Sequence, residues 1–316
     1  MTPLDKAARM ILKNCLGVRA KESVLIIIED SLWALGETFW KYAKRLSKLP
    51  TLYVYSSSSL NAQAFPDILC HCLQSSEAAL FLSKQLVNSE LFNEARKKGT
   101  RVLVIQDASR KLLERLAKTD YDKISHQSRR IAEIFTIGKR LKLTSPSGTE
   151  ASISISRIKG TAETGQVRHN GDISFLPAGQ SCLVLHKDSL NGRIILDGIA
   201  GSKNAFKEPI VLNVKNGQIT QIKGNKAADN LRKELRKFGK HGRTIYEIGV
   251  GTNYAIKLGH SALEDAKVLG TIHIAFGKNH VTKVRGKFNQ TTKGLIKNPT
   301  LSIDGKLIIK DGKLLV

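Results

Sequence analysis

The residue pattern of the chain changes near residue 138, and this change constrains the fold more than any other feature of the sequence. Before it, apolar runs rich in β-branched residues alternate with segments of helical periodicity; the runs are VLIIIED (24–30), TLYVYS (51–56), AALFLS (78–83) and RVLVIQ (101–106). Such runs are typical of buried parallel strands joined by right-handed helical crossovers. Residues 1–138 are therefore predicted to form an α/β domain with a parallel sheet.

After residue 138 the sequence is dominated by turn dipeptides. Asn-Gly or Asp-Gly pairs recur at 170–171, 191–192, 197–198, 216–217, 304–305 and 311–312. These pairs favour the tight turns of β-hairpins, so they mark the ends of antiparallel strands. A helical stretch, predicted over 226–240, interrupts them. Residues 139–316 are therefore predicted to form an α+β domain with mostly antiparallel sheet.

The charge of the chain is strongly positive and unevenly distributed. The 316 residues include 51 Lys and Arg against 27 Asp and Glu, a formal net charge of +24. Residues 1–138 carry +7 of this excess and residues 139–316 carry +17. A surplus of this size favours polyanionic partners such as nucleic acid. The alternative, left open by the sequence, is a lysine-rich solvated surface.

Several classes of protein are disfavoured by what the sequence lacks. No run of about 18 apolar residues is present to span a bilayer, and the first residues do not resemble a secretory signal. No GxGxxG or GxxxxGK[ST] motif follows a predicted strand, so no nucleotide cofactor is predicted. The cysteines lack a zinc-site spacing and are interpreted as free thiols in a reducing compartment; they are Cys15, Cys70, Cys72 and Cys182. We expect a cytoplasmic protein without a membrane partner.

Five sequence blocks occur in the order found in a known family. They are ILKNCLGVRAKESVLIIIED, LTSPSGTEASISI, GDISFLPAG, YEIGVGTNYAIKLGHSALEDAKVLGTIHIAFG and GLIKNPTLSIDGKLIIKDGKLLV. With these blocks the whole chain resembles the leucyl aminopeptidase T and aminopeptidase S family of metallopeptidases, whose fold also carries the iron-dependent 2,5-dihydroxypyridine dioxygenases. The resemblance implies a two-domain, homodimeric, cytosolic protein with its metal site in the C-terminal domain.

Two of the metal-ligand positions implied by the resemblance are retained. A glutamate of the EIGVGTN block is present as Glu247, and a histidine of the HIA block is present as His273. Glu264 matches a common acidic position of this branch of the family. Each retained residue also has a structural interpretation, since a lone histidine in an apolar strand is more often a hydrogen-bonded core residue, and Glu247 would serve to hold the glycine-rich turn.

Three other ligand positions are occupied by residues with different chemistry. Where the family has glutamate, histidine and aspartate, this chain has Gln180, Thr291 and Lys293. Glutamine is a weaker, neutral donor, threonine lacks the imidazole nitrogen, and a lysine ammonium has no lone pair to offer a metal. No cofactor is therefore predicted, and zinc, cobalt, manganese or iron would be expected only if this alignment were shifted. We further predict that the Lys293 ammonium takes the place of the cation and pairs with Glu247, because an unpaired buried carboxylate is costly.

Two classes of function follow from these residues. The first is an aminopeptidase T-like protein that lacks metal-dependent peptidase activity, or alternatively an active divergent metallo-aminopeptidase. The second is a non-catalytic protein on the same scaffold that binds a polyanion, RNA or a ribonucleoprotein. The candidate anion-binding residues are Arg232, Lys233, Arg236, Lys237 and Lys240 on the predicted helix, and Lys283, Arg285 and Lys287 in a basic loop.

Overall fold

The protein is described from a computed structural model. It describes residues 1–56, 65–84, 87, 89–202, 208–277 and 292–316. By the density of internal contacts the chain divides into two compact units: unit 1 contains residues 1–125 and 163–178, and unit 2 contains residues 126–162 and 179–316. No helix in the described ranges is both long enough and apolar enough to cross a lipid bilayer.

The described residues form eight α-helices and nineteen β-strands, which are numbered in chain order. The helices are α1 (Pro3–Met10), α2 (Trp33–Leu46), α3 (Asp67–Gln74), α4 (Asn93–Lys97), α5 (Arg110–Leu116), α6 (Tyr121–Ile137), α7 (Lys226–Arg236) and α8 (Ala262–Asp265). The first ten strands are β1 (Ser23–Glu29), β2 (Leu49–Tyr55), β3 (Ala78–Leu82), β4 (Arg101–Ile105), β5 (Arg140–Thr144), β6 (Glu150–Ser154), β7 (Thr161–Glu163), β8 (Ile173–Leu176), β9 (Gln180–Val184) and β10 (Leu190–Leu196). The remaining strands are β11 (Gly198–Ile199), β12 (Ile210–Lys215), β13 (Gln218–Lys223), β14 (Ile245–Gly251), β15 (Ile272–Phe276), β16 (Thr292–Ile296), β17 (Thr300–Ile303), β18 (Lys306–Lys310) and β19 (Lys313–Leu314).

Unit 1 is built on a parallel sheet with the strand order β2-β1-β3-β4-β8. The residues of β3 and β4 are buried throughout, as expected for parallel strands with apolar residues on both faces. One core cluster joins these strands to α1, α2 and α5, and a second cluster contains the stacked and edge-on aromatic rings of Tyr55, Phe65, Phe81 and Phe92. The predicted α/β fold with a parallel sheet is confirmed for this unit.

Unit 1 contains a buried ion pair between Arg101 and Glu22. The two guanidinium nitrogens Nη1 and Nη2 of Arg101 donate to Oε1 and Oε2 of Glu22 at 3.0 and 2.8 Å. Arg101 is 2% exposed and Glu22 is 6% exposed. Burial alone would raise the pKa of the Glu22 carboxyl, but the Arg101 guanidinium holds this pKa below its usual range.

Unit 2 contains two sheets with a shared apolar core, and the mostly antiparallel α+β fold predicted for this part is confirmed. An eight-stranded sheet has the order β13-β12-β10-β6-β5-β17-β18-β19, and a six-stranded sheet has the order β11-β16-β15-β14-β9-β7, counted over the described residues. Alternate residues of both sheets enter one hydrophobic cluster, including Ile153 and Leu196 from the first sheet and Ile248 and Ile274 from the second. The opposite face of the six-stranded sheet is thereby left for polar residues.

The structure places the division of the chain elsewhere than the predicted boundary at residue 138. Residues 126–137 of α6 belong to unit 2, where Ile131 and Phe135 enter the core cluster. Residues 163–178 return to unit 1, because β8 pairs in parallel with β4 and becomes the fifth strand of its sheet. The sequence pattern at 173–176 resembles its antiparallel surroundings, so this long-range pairing leaves no local signal. The predicted helix over 226–240 is also shorter, since α7 ends at Arg236.

Candidate functional site

The candidate site lies on one face of the six-stranded sheet, where strand register brings four side chains together. In the antiparallel ladder, Gly249 of β14 lies opposite both Cys182 of β9 and His273 of β15. Glu247 lies opposite Ala275, which in turn lies opposite Lys293 of β16. Residues that are directly opposite, or two apart on one strand, share a face of a sheet. Cys182, Glu247, His273 and Lys293 therefore project to the same side, away from the apolar core.

Gly249 provides the space at the centre of this group. A Cβ atom built at this position would lie 2.2 Å from Cε1 and 2.5 Å from Nε2 of His273. It would also lie 2.8 Å from Sγ of Cys182. These distances are shorter than any normal contact, so any residue larger than glycine here would displace the imidazole. Gly249 of the EIGVGTN block is therefore required by the close approach of the His273 side chain rather than by a turn.

His273 is completely buried and its hydrogen bonds fix its tautomer. Nδ1 lies 3.1 Å from the carbonyl oxygen of Ala266. Because a carbonyl oxygen can only accept, Nδ1 carries the proton and donates it to that bond. Burial lowers the pKa of His273, and the nearby Lys293 ammonium acts in the same direction. The imidazole is therefore neutral near pH 7, with the lone pair of Nε2 facing the site.

Glu247 and Lys293 form an ion pair beside this imidazole, as the sequence predicted. Nζ of Lys293 lies 3.2 Å from Oε1 of Glu247 and 3.4 Å from Nε2 of His273. The ammonium donates toward both atoms, which lie 3.1 Å apart. Burial would raise the pKa of the Glu247 carboxyl, but the Lys293 charge holds this pKa well below its usual range. The two side chains are 20% and 21% exposed, so the pair is shielded but reaches solvent.

Cys182 is the member of this group that the sequence analysis missed. Its Sγ lies 3.8 Å from Nε2 of His273, and the residue is 5% exposed. Among the described residues, one ligand-type atom each of Cys182, Glu247 and His273 lie within 4.8 Å of one another. The signal available in the sequence is the two-residue spacing from Gln180, which places both side chains on one face of β9.

Gln180, the first of the substituted ligand positions, is buried at the start of β9 and lies opposite Gly251. Its Oε1 atom is buried and has no hydrogen-bond partner within the described parts of the chain. A neutral amide is tolerated in this position, whereas a glutamate carboxylate would bring a second negative charge to the face that holds Glu247. Thr291, the second substituted position, lies outside the described residues.

Glu264 is not one of the clustered donors found among the described residues. It lies in α8, where its backbone N–H donates to Oγ of Ser261 at 3.3 Å, and the Ser261 hydroxyl donates to its carboxylate at 3.4 Å. It is buried, but its carboxylate is not among the ligand-type atoms that cluster with His273. The hydrogen bonds between Glu264 and Ser261 lie within the turn that begins α8, and the match of Glu264 to an acidic family position stays a prediction.

The candidate anion-binding residues of α7 are partly engaged within the helix. Arg232 donates to the carbonyl oxygen of Ile222 at 2.6 Å and pairs with Asp229, and Lys237 pairs with Glu234 at 2.6 Å. Lys233 and Arg236 are exposed. Lys240 belongs to a short 3-10 helix, Gly239–His241, and Lys283, Arg285 and Lys287 lie outside the described residues.

The donors at the site do not fit the metal centre implied by the family resemblance. A centre of hard divalent cations needs several anionic oxygen ligands, and among the described residues of the cluster Glu247 is the one carboxylate. A lysine ammonium, which offers no lone pair, stands within 3.4 Å of both Glu247 and His273. A divalent ion bound at about 2.1 Å to these two donors would have to share their space with a fixed positive charge.

A family model and two solved structures match this chain over most of its length. A family model described as NicX, 2,5-dihydroxypyridine 5,6-dioxygenase, matches residues 47–316. The solved structure of 2,5-dihydroxypyridine dioxygenase from Pseudomonas putida KT2440 superposes with a TM-score of 0.81 at 18% identity, over 100% of this chain and 98% of that one. Wild-type AmpT from Thermus thermophilus superposes with a TM-score of 0.69 at 13% identity, over 99% of each chain. No curated protein sequence matches this chain.

Proposed function

This chain belongs to the 2,5-dihydroxypyridine 5,6-dioxygenase (NicX) family, and we propose that it is a member that performs neither the metal-dependent dioxygenase nor the metal-dependent peptidase reaction. The observation that supports this proposal is the position of Lys293, whose ammonium lies 3.2 Å from Glu247. At the matching position the family resemblance implies an aspartate, which would be a ligand. Here the residue brings a positive charge to the place where the resemblance implies a positively charged ion.

The electrostatics of the site are consistent with this replacement. A buried carboxylate needs a cationic or hydrogen-bonding partner, because its charge is costly in a medium of low dielectric constant. The ammonium supplies that partner to Glu247 and at the same time donates toward the neutral imidazole of His273. The metal ion would otherwise make both contacts. The site keeps its shape, and its charge is balanced without a metal.

The alternative of an active divergent metallo-aminopeptidase makes a different prediction. If the family alignment were shifted, another residue, such as His280 or Asp265, would supply a ligand beside Glu247 and His273. The protein would then bind a divalent ion stoichiometrically and would show aminopeptidase activity that depends on that ion. Lys293 is the reason to favour a member without metal-dependent activity, because its ammonium lies 3.2 Å from Glu247.

The test combines metal content with two activity assays. The protein is expressed with excess zinc, cobalt and iron, and bound metal is measured by mass spectrometry; substoichiometric metal is expected. Activity is measured on 2,5-dihydroxypyridine with Fe²⁺ and on leucyl p-nitroanilide with Co²⁺ or Zn²⁺, and no turnover is expected. One tightly bound equivalent, together with turnover that Glu247→Gln abolishes, would overturn the proposal.

A matched gain-of-binding variant makes a negative result informative. The triple substitution Gln180→Glu, Thr291→His and Lys293→Asp restores the ligand types that the family resemblance implies. This variant is expected to bind divalent metal under conditions in which the parent does not.

The homodimer expected from the same resemblance is a separate proposal. Light scattering coupled to size-exclusion chromatography measures the mass in solution, and a mass near twice 34.8 kDa is expected.

A further inference from the structure

The eight-stranded sheet of unit 2 has one face in the core and one face exposed. Along β5, Leu141 and Leu143 enter the core cluster, whereas Arg140, Lys142 and Thr144 are exposed. The neighbouring strand β6 repeats this alternation in phase. The exposed face therefore consists of the outward residues of consecutive paired strands, and we call it the outer sheet face.

Strand register arranges polar side chains in continuous rows across the outer sheet face. Directly opposite residues in the ladders define each row. The first row runs through Ser302, Lys142, Ser152 and Asn191. The second row runs through Thr300, Thr144, Glu150, Arg193, Asn213 and Gln221. Both rows consist of hydroxyl, amide and charged side chains, and neither contains an aromatic residue.

The charge on the outer sheet face is predominantly positive. Its basic residues, all exposed, are Arg140, Lys142, Arg193, Lys215 and Lys223. Glu150, opposite Arg193, is an acidic residue of the rows. Asp304, at the turn after β17, accepts the backbone N–H groups of Lys139 and Arg140 at 3.0 and 2.8 Å. Since neighbouring strands are about 4.8 Å apart, Lys142 on β5 and Lys215 on β12 stand about 14 Å apart across the face.

A shallow cavity lies at one end of this face. Its volume is about 510 Å³, and it is lined by Lys139, Arg140, Lys142, Ser302, Asp304 and Gly305. Three basic side chains, one hydroxyl and the Asp304 carboxylate therefore surround a concave part of the surface. The basic side chains outnumber the single carboxylate, which already accepts two backbone N–H groups, so the cavity suits an anionic ligand.

We propose that the outer sheet face binds the phosphodiester backbone of a nucleic acid without reading its sequence. Lys, Arg, Ser, Thr, Asn and Gln side chains are the groups that contact phosphate oxygens and sugars in such complexes. The lack of aromatic residues in the rows removes the stacking platform that single-stranded base recognition uses. A phosphate-dominated interface gives an affinity that falls steeply with salt concentration. This surface is separate in sequence from the Lys293 site, so either proposal can fail without the other.

The test measures binding of a fluorescein-labelled duplex of 20 base pairs by fluorescence anisotropy between 50 and 200 mM salt. The variant Arg140→Gln/Lys142→Gln/Lys215→Gln removes three charges from the outer sheet face. We expect it to bind about a hundredfold more weakly than the parent at about 0.1 M salt, with the salt slope reduced by about 2.7. The matched control Lys13→Gln/Lys111→Gln/Lys118→Gln removes three exposed charges from unit 1 and is expected to bind like the parent.

Three outcomes would overturn the proposal. In the first, the parent protein does not bind duplex or single-stranded nucleic acid at 50 mM salt. In the second, the two triple variants lose the same affinity, which would assign the effect to net charge alone. In the third, phosphatidylserine vesicles would bind in a way that the sheet variant abolishes while nucleic acid would not bind. If the triple variant does not fold by circular dichroism, Arg193→Gln/Lys223→Gln replaces it, with a slope expected to fall by about 1.8.

Discussion

The ion pair between Lys293 and Glu247 should dominate the stability of the β14–β16 region, and Lys293→Met tests this. The substitution keeps most of the length and apolar stem of the side chain but removes the ammonium. Glu247 would then be left in a site that is 20% exposed, beside a neutral imidazole. The carboxylate must then remain charged without the ammonium, take up a proton, or draw a proton onto Nε2 of the buried His273, which lies 3.1 Å away, and each of these costs free energy.

The size of the effect follows from the distance between the charges. At 3.2 Å and an effective dielectric constant of about 20, the attraction between unit charges is about 5 kcal/mol. Partial exposure screens the pair, and the loss of one partner of a buried pair typically costs about 3–5 kcal/mol. We therefore expect Lys293→Met to lower the free energy of unfolding of unit 2 by about 3 kcal/mol at pH 7.

The stabilisation by the Lys293–Glu247 pair depends on pH. The pKa of Glu247 is lowered in the folded protein, so the pair stabilises the fold above the pKa of an unfolded glutamate, about 4.3. This stability is lost as the pH falls through the lower, folded pKa. The difference between parent and Lys293→Met should therefore be largest near neutral pH and should shrink below about pH 4.

The assay is urea unfolding followed by circular dichroism, with hydrogen exchange of peptides from β14 and β15 as the local readout. The double variant Glu247→Gln/Lys293→Met removes both charges and should be more stable than Lys293→Met alone, with a coupling of about 2 kcal/mol. Lys97→Met is the matched control, because the Lys97–Glu94 pair is 72% and 69% exposed and contributes less than about 1 kcal/mol. A loss below about 0.5 kcal/mol for Lys293→Met, or no coupling, would refute the reasoning.

Three further changes give separate predictions. Gly249→Ala should destabilise unit 2 by more than about 2 kcal/mol, because the added methyl overlaps the imidazole; a shift below about 0.5 kcal/mol in urea unfolding would contradict this. Arg101→Met should lower the stability of unit 1 by about 3–5 kcal/mol at pH 7 and by less below about pH 4, since the lowered pKa of Glu22 stabilises only above the unfolded value; stability measured at both pH values checks the sign. Lys293→Ala should bind zinc through the three clustered donors, and Cys182→Ser on that background should weaken the binding at least about tenfold in a competitive chelator titration.

Local sequence pattern was sufficient for much of the fold. The strands of unit 1 are short, apolar and β-branched, and a parallel strand buried on both faces has that composition wherever it pairs. The Lys293–Glu247 pair was also predictable, because a charge placed at a ligand position has few other partners. Both inferences depend on local chemistry: apolar strands need a buried environment, and a buried charge needs a partner of opposite sign.

Long-range register was not predictable in the same way. From the sequence, Cys182 is one of four free thiols with no assigned role, because only the pairing of β9 with β14 places it opposite Gly249 and beside His273. Spacing along one strand fixes which face a side chain occupies, but the strands that share that face are chosen by the whole sheet.

The return of β8 to the parallel sheet affects how this chain can be synthesised and divided. As the ribosome releases the chain, β4 emerges long before residues 173–176, and until then its apolar backbone edge has a partner on one side only. An open apolar strand edge is a template for pairing with other chains. Unit 1 therefore completes its sheet only after β5, β6 and β7 of unit 2 have been synthesised. A fragment that stops at residue 138 would carry this open edge permanently, whereas one that ends after residue 178 would contain every strand of the parallel sheet.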